Sequence, residues 1–204
     1  GGDGYVVAGM AAQAGWAVEV IALGEPTTEP ARRALQEATQ HSIKVGPTLT
    51  ASSPRGAVLV DALLGTGLTR APEGDFRAAI ECMNEQARPV VSLGLPSGLN
   101  SDSGGTPGVA VSANLTVTFV GMKLGLQTGR GPDLCGSLVF DRLGLPGEAY
   151  DEVQSVARLI EGNAVARLLP PRPAGLHKGG AGHVLVLGGA EGMSGAPRIC
   201  AAGA

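Results

Sequence analysis

Aromatic residues make up only 3% of this 204-residue sequence, and it holds neither a block of basic residues nor a long uninterrupted apolar run. With no Lys/Arg block and a formal net charge of −3, the chain lacks an electrostatic footprint for nucleic acid or a membrane surface. No apolar stretch approaches the roughly 20 residues of a membrane-spanning helix, and no basic-then-apolar leader precedes the first element. Cys82, Cys135 and Cys200 lie far apart without CxxC spacing. That spacing suggests neither a disulfide framework nor a zinc site and fits a reducing, cytoplasmic setting. No two histidines have ligand spacing, no Ser/His/Asp or Cys/His constellation is visible, and neither a Walker loop nor a GxGxxG turn follows a strand.

What is present is glycine (33), proline (14) and enough apolar residues (44%, against 16% charged) to bury a core. Apolar runs separate the glycines throughout, so the composition calls for many tight turns between strands and helices rather than for disorder. Helices are expected from Tyr5 to Gly15, over "PARRALQEATQ" (30–40) and over "FRAAIECMNEQA" (76–87). Strands are expected at "AVEVIAL", "AVLVDALL", "PVVSLGL", "NLTVTFVGM" and "GSLVFDRLGLP". These strands are apolar along their length, which is how strands covered on both faces read, so an α/β fold with a mostly parallel sheet is favoured. After Pro146 the character changes. "EVQSVARLI" (152–160) reads as a short strand, "GNAVARLLP" as a short helix, "PPRPAG" as a stiff linker, "GHVLVLGG" (182–189) as a new strand, and "APRICAAGA" as the start of a helix. The expected organisation is a first domain over 1–150, a linker over 151–175, and the truncated start of a second domain over 176–204. The opening "GGDGY", without Met, reads as a loop cut at its front.

Ligands of open parallel sheets bind outside the carboxyl ends of the strands. Three glycine-bearing loops belong at such ends or at a helix N-terminus: "GGDGY", "DALLGTGLTR" and "GLPSGLN". Glycines there let backbone N–H groups approach a phosphate, so a nucleotide-like ligand is expected. Asp61 ends the run "VLVD", where it serves either as a turn former or as a hard oxygen ligand for a cation or a hook for a ribose. Ser97 closes a Pro-Ser-Gly turn or joins that site. Lys123 follows "TVTFVGM" as a solvated strand end or as a site residue. His177 and Lys178 read as surface linker residues.

"GGDGY", "VDALLGTGLTR", "LPSGLNSDSGG", "AVSANLTVTFVGMKLGL" and "GSLVFDRLGLP" resemble, in order and spacing, the N-terminal domain of the bifunctional NAD(P)H-hydrate repair enzymes, the YjeF N-terminal family. "HKGGAGHVLVLGGAEGMSGA" resembles the opening of the fused ADP-dependent NAD(P)HX dehydratase domain. The resemblance implies a Rossmann-like three-layer α/β sandwich over residues 1–147, followed by the truncated start of a ribokinase-like α/β domain. It implies epimerisation of R-NADHX or R-NADPHX to the S form, with a bound potassium ion. ADP or ATP would serve only the dehydratase domain, and a homo-oligomer is compatible with the family.

Carried over by motif, Gly1, Gly2 and Asp3 fall in the substrate-binding loop, after an Asn-Asn pair expected upstream. Asp61 and Ser97 match potassium ligands. Gly65, Thr66, Gly67, Leu68, Thr69, Arg70 and Ala71 match the loop that wraps the substrate's phosphates. The chain departs from the family at one position: the strand that normally ends Asp-Ile-Pro-Ser-Gly here reads Gly94-Leu-Pro-Ser-Gly, so Gly94 stands where a carboxylate is expected to contact the hydrate. Asp3 and Lys123 are left as candidates to move the proton. The resemblance favours an epimerase; Gly94 favours a rival, a non-catalytic module for NAD(P)HX binding or protein docking. A second rival, a small-molecule kinase of ribokinase type, rests on the C-terminal segment alone.

Overall fold

A computed structural model describes residues 2–41, 43–46, 57–168, 171 and 173–204. The chain divides into two compact units, Gly1–Ala157 and Arg158–Ala204. The division falls inside the stretch 151–175 read as a linker.

The first unit begins with α1 (Gly2–Gln13), β1 (Glu19–Ile21), α2 (Glu29–Thr39) and β2 (Lys44–Gly46). Apolar residues spaced along one side of each helix make α1 and α2 pack together. Tyr5, Ala8, Ala34, Ala38 and Ile43 form their buried core, with Val18 and Val20 from the β1 side. Pro30 sits in the first turn of α2, where its missing N–H leaves no helical bond unmade. The strands β1 and β2 pair in parallel.

The rest of the unit is built on β3 (Leu59–Asp61), α3 (Gly74–Glu85), β4 (Val90–Leu93), β5 (Leu115–Phe119), α4 (Gly131–Leu134) and β6 (Ser137–Asp141). These four strands form one sheet in the order β3-β4-β5-β6, and every pairing is parallel. Spatial order equals sequence order, so each crossover steps the same way, and right-handed crossovers then fall on one face. That face carries the core. Ile80 and Met83 of α3 pack with Leu59, Val90 and Val111, while Leu95, Leu99, Leu126 and Leu134 pack with Leu138. Alternation along the pleat leaves Val60 and Val139, on the other face, 44% and 46% exposed.

The second unit contains α5 (Gly162–Leu168) and α6 (Gly195–Gly203). Between them, a 3-10 turn at Lys178–Ala181 is capped by His177, whose Nδ1 accepts from the Gly179 N–H at 3.2 Å. Two expected strands are absent from the described residues: neither 152–160 nor 182–189 is paired. An apolar run becomes a strand only when a neighbour takes up its N–H and C=O groups, and no described strand lies beside either run. Val184, Leu185 and Leu187 are accordingly 72–84% exposed. The short helix read at 162–170 and the helix read at the end of the chain are present as α5 and α6.

Candidate functional site

The carboxylate of Asp61 closes β3 and is fully buried. Register places it beside Ser92, and Ser92 beside Thr116, so a row of polar side chains crosses the covered face of the sheet. Four donors converge on the two carboxylate oxygens. Oδ1 accepts from the Ser97 hydroxyl at 2.5 Å and the Leu63 N–H at 3.3 Å. Oδ2 accepts from the Ser92 hydroxyl and the Ser97 N–H, both at 2.8 Å. Asp61 thereby fastens the Pro-Ser-Gly turn after β4 to the end of β3. Burial pushes its pKa up, and the hydrogen bonds from Ser97, Ser92 and Leu63 oppose that shift.

The Ser97 hydroxyl also accepts from the Leu64 N–H at 2.8 Å and lies 3.3 Å from the Leu64 carbonyl. Everything offered at this corner is oxygen: the Asp61 carboxylate, the Ser97 hydroxyl and the Leu64 carbonyl. That donor set suits a hard cation. A carboxylate has about four lone-pair sites, all engaged here, so a cation at Oδ1 fits if the Ser97 hydroxyl turns its hydrogen to Leu64 O.

The glycine-rich loop 65–71 hangs from the next segment of chain. Asn100 Nδ2 donates to Leu68 O and the Ser101 hydroxyl donates to Thr66 O, each at 3.2 Å. Gly65, Thr66, Gly67, Thr69 and Arg70 are exposed along this loop, while Leu68 and Ala71 are half-buried. The opposite side of Asn100 holds its own turn: Oδ1 accepts from the N–H groups of Asp102 and Ser103 and from the Ser103 hydroxyl. Asn100 and Ser101 were not among the residues picked from sequence. The signal was there, in an Asn followed by Ser-Asp-Ser-Gly-Gly, the composition of an Asx turn.

The wall beyond β5 is made of backbone. Gly125 N–H donates to Ser101 O at 2.6 Å, and Arg130 N–H donates to Gly104 O at 2.8 Å. A Cβ on Gly125 would lie 2.1 Å from Asn100 O, so only glycine permits this approach. Lys123 stands at the start of that wall. Its ammonium donates to Phe119 O, the last carbonyl of β5, at 2.6 Å, and partial burial pushes its pKa down.

Gly94 follows β4 with φ +80°, its N–H donating to Val117 O at 2.7 Å. No atom lies within 4 Å of the position a Cβ would take. There is room for a side chain, in a backbone conformation that Asp and Asn tolerate better than most residues.

Asp3 is exposed in the first turn of α1. A Cβ on its neighbour Gly4 would come within 2.8 Å of Ala62 Cβ, which sets that turn against the exit of β3. Gly2 packs on α2, where its Cβ would meet Ala31 Cα at 3.3 Å. Gly1 lies outside the described residues. Asp61, Ser97, Gly94, Lys123 and loop 65–71 thus all gather at the carboxyl ends of β3, β4 and β5, with Asp3 at their border.

The sequence profile of the family described as YjeF-related protein N-terminus matches residues 1–125. The bifunctional NAD(P)H-hydrate repair enzyme Nnr of Coxiella burnetii is 42% identical over 204 residues, spanning 98% of this chain and 42% of that protein. The Nnr protein of Escherichia coli is 36% identical over 203 residues, spanning 98% and 39%. A bifunctional NAD(P)H-hydrate repair enzyme of Leishmania braziliensis is 34% identical over 209 residues, spanning 96% and 37%. The chain therefore spans about two fifths of the length of these relatives. The crystal structure of the yeast protein ynu0 superposes with a TM-score of 0.53 at 20% identity, covering 64% of this chain and 58% of that one, which shows a shared fold. With its parallel sheet and the match over residues 1–125, the chain belongs to the YjeF-related protein N-terminus family.

Proposed function

We propose that residues 1–150 are an NAD(P)H-hydrate epimerase domain that converts R-NADHX or R-NADPHX to the S epimer. The observation that carries this reading is the Asp61 clamp. It joins two loops at the carboxyl ends of parallel strands, where open α/β sheets take nucleotides, and relatives over the same stretch are named as NAD(P)H-hydrate repair enzymes. Exposed Thr66, Thr69 and Arg70 on loop 65–71 offer hydroxyl and guanidinium donors to the substrate's phosphates.

Inverting C6 of the hydrate requires loss and re-addition of its hydroxyl, or ring opening. Either route needs a group that gives a proton and a group that takes one, worth roughly 10²–10⁴-fold together with position. Lys123, half-buried and with a lowered pKa, is the candidate acid at the mouth of β5. Asp3 is the candidate base at the border, and Gly94 brings no carboxylate of its own. Potassium, held by Asp61, Ser97 and the Leu64 carbonyl, would supply positive charge beside the substrate's phosphates. The reading extends to the second unit, whose residues 176–204 are the start of an ADP-dependent dehydratase domain. The relatives' names favour an enzyme over the non-catalytic binding or docking module that Gly94 alone suggests.

The test is conversion of R-NADHX to S-NADHX by the purified chain, followed by chromatography, with and without potassium. A rate no higher than the spontaneous one in both conditions overturns the epimerase reading. ADP-dependent dehydration of S-NADHX by the same chain would overturn the reading of 176–204 as only the beginning of a domain.

A further inference from the structure

Val120, the residue after β5, has φ +66°, a left-handed conformation that β-branched side chains rarely adopt. The Gly121 N–H donates to Phe119 O at 2.7 Å and closes a three-residue turn across it. A γ-turn of this hand is rare and strained, and strained backbone persists only where its surroundings over-determine it. Two bonds from beyond the turn do so. The Val120 N–H donates to Asp141 O, at the end of β6, at 2.9 Å, and the Tyr150 hydroxyl donates to Val120 O at 2.6 Å. Tyr150 is itself steadied by the Arg142 guanidinium, 5.3 Å from the centroid of its ring.

The turn decides where one side chain of the site stands. Phe119 O, the carbonyl that closes the turn, also accepts from the Lys123 ammonium at 2.6 Å. Beyond Lys123 the main chain belongs to the fixed wall: Lys123 O accepts from the Leu126 N–H at 3.1 Å, and the Gly125 N–H donates to Ser101 O. Only Val120, Gly121 and Met122 join β5 to that wall. Val120 and Met122 are 43% and 47% exposed, so burial does little to hold this span and its hydrogen bonds must. Relaxing Val120 to a negative φ would open the turn and carry Lys123 off Phe119 O.

We propose that Tyr150 is a positioning residue for this site: its hydroxyl latches the strained turn at Val120, and the latched turn keeps the Lys123 ammonium on Phe119 O at the mouth of β5. The catalytic consequence rests on the epimerase reading, in which Lys123 gives a proton to the hydrate. The latch itself stands without that reading.

The experiment uses Tyr150→Phe, which keeps the ring beside Arg142 and removes only the hydroxyl, and its combination with Val120→Gly. Glycine enters the left-handed region without strain, so it needs no latch. The bond from Tyr150 is exposed, and its loss should leave the fold intact. The lysines of the chain are Lys44, Lys123 and Lys178, so the pH midpoint of acetic anhydride labelling can be read at each by peptide mass spectrometry. Exposed Lys44 is the internal reference. Partial burial lowers the pKa of Lys123, so in the parent its midpoint lies below that of Lys44. Tyr150→Phe should raise the Lys123 midpoint toward that of Lys44, and adding Val120→Gly should return it to the parent's value. A Lys123 midpoint unmoved by Tyr150→Phe overturns the proposal. So does a shift that Val120→Gly fails to reverse, since the hydroxyl would then support the fold in general rather than the strained turn. Turnover is read separately. Tyr150→Phe should lower kcat for epimerisation by about 10- to 100-fold with KM little changed, and Val120→Gly should restore it. A labelling shift with kcat unchanged overturns the catalytic consequence. Absence of turnover in the parent overturns the epimerase reading and leaves the latch to be decided by labelling.

Discussion

Replacing Asp61 by alanine removes the acceptor of four donors, and their separate fates set the cost. The Ser97 hydroxyl has a second acceptor in Leu64 O, 3.3 Å away, and the Leu63 N–H makes only a long bond of 3.3 Å from a half-buried position. The Ser92 hydroxyl and the Ser97 N–H bond at 2.8 Å in the interior and are left without their acceptor. Two orphaned buried donors cost about 1–3 kcal/mol each, or about 2–6 kcal/mol together. Removing a carboxylate that burial disfavours recovers part of this, so the expected loss is about 2–4 kcal/mol, a large share of a typical total of about 5–15 kcal/mol. Asparagine keeps the shape. With its NH2 at the Oδ1 position it donates to Ser97 Oγ and forfeits the long bond from the Leu63 N–H, the Ser97 hydroxyl turns to Leu64 O, and the carbonyl still accepts from Ser92 and the Ser97 N–H. Asp61→Asn should therefore lose at most about 1–2 kcal/mol. Urea unfolding by far-UV circular dichroism measures both. Asp61→Ala within about 0.5 kcal/mol of the parent at unchanged m, or Asn costing more than Ala, would refute the clamp.

Gly125→Ala forces a Cβ to within 2.1 Å of Asn100 O and should cost about 3 kcal/mol or prevent folding; a melting temperature equal to the parent's would show that the wall moves aside. The pKa of Lys123 is lowered in the fold, so the folded state binds fewer protons than the unfolded one between that pKa and about 10.4, and stability should rise with pH across that window. Lys123→Met should flatten the rise in the urea midpoint, and an unchanged profile would place the titration elsewhere. Gly94→Asp should accelerate epimerisation by about 10²–10⁴-fold at some loss of stability from its φ of +80°. If the parent already runs at the variant's speed, the carboxylate is dispensable and Asp3 or Lys123 carries the proton.

The sequence was most legible where local periodicity and tertiary need agree. The apolar spacing of α2 and α3 and the runs that became β3 to β6 were readable because each run has a partner in the fold. The runs 152–160 and 182–189 looked the same on paper, yet pairing is a property of two segments, and no described segment answers them. β2 is only three residues of "KVG", too short for alternation to show, and α4 is the single four-residue turn "GPDL", too short for a helical period. At the site, Asp61 and Ser97 stood out because a strand end and a Pro-Ser-Gly turn are local signals. Their direct bond, spanning 36 residues, is not one.

The two sides of the site are fastened by different means. Loop 65–71 is tied to its neighbour by two side-chain bonds of 3.2 Å, each severable by a single substitution. The segment from Gly98 to Gly105 meets the segment from Lys123 to Gly131 main chain to main chain, so their joint survives any change of side chain that leaves the glycines in place. In amide exchange the Gly125 and Arg130 protons should outlast those of the exposed 65–67 stretch by orders of magnitude. Heat or denaturant should slacken one side of the site long before the other. Under the epimerase reading, a change of dinucleotide would be work for the side chains of 65–71, with the opposite side serving as a fixed template.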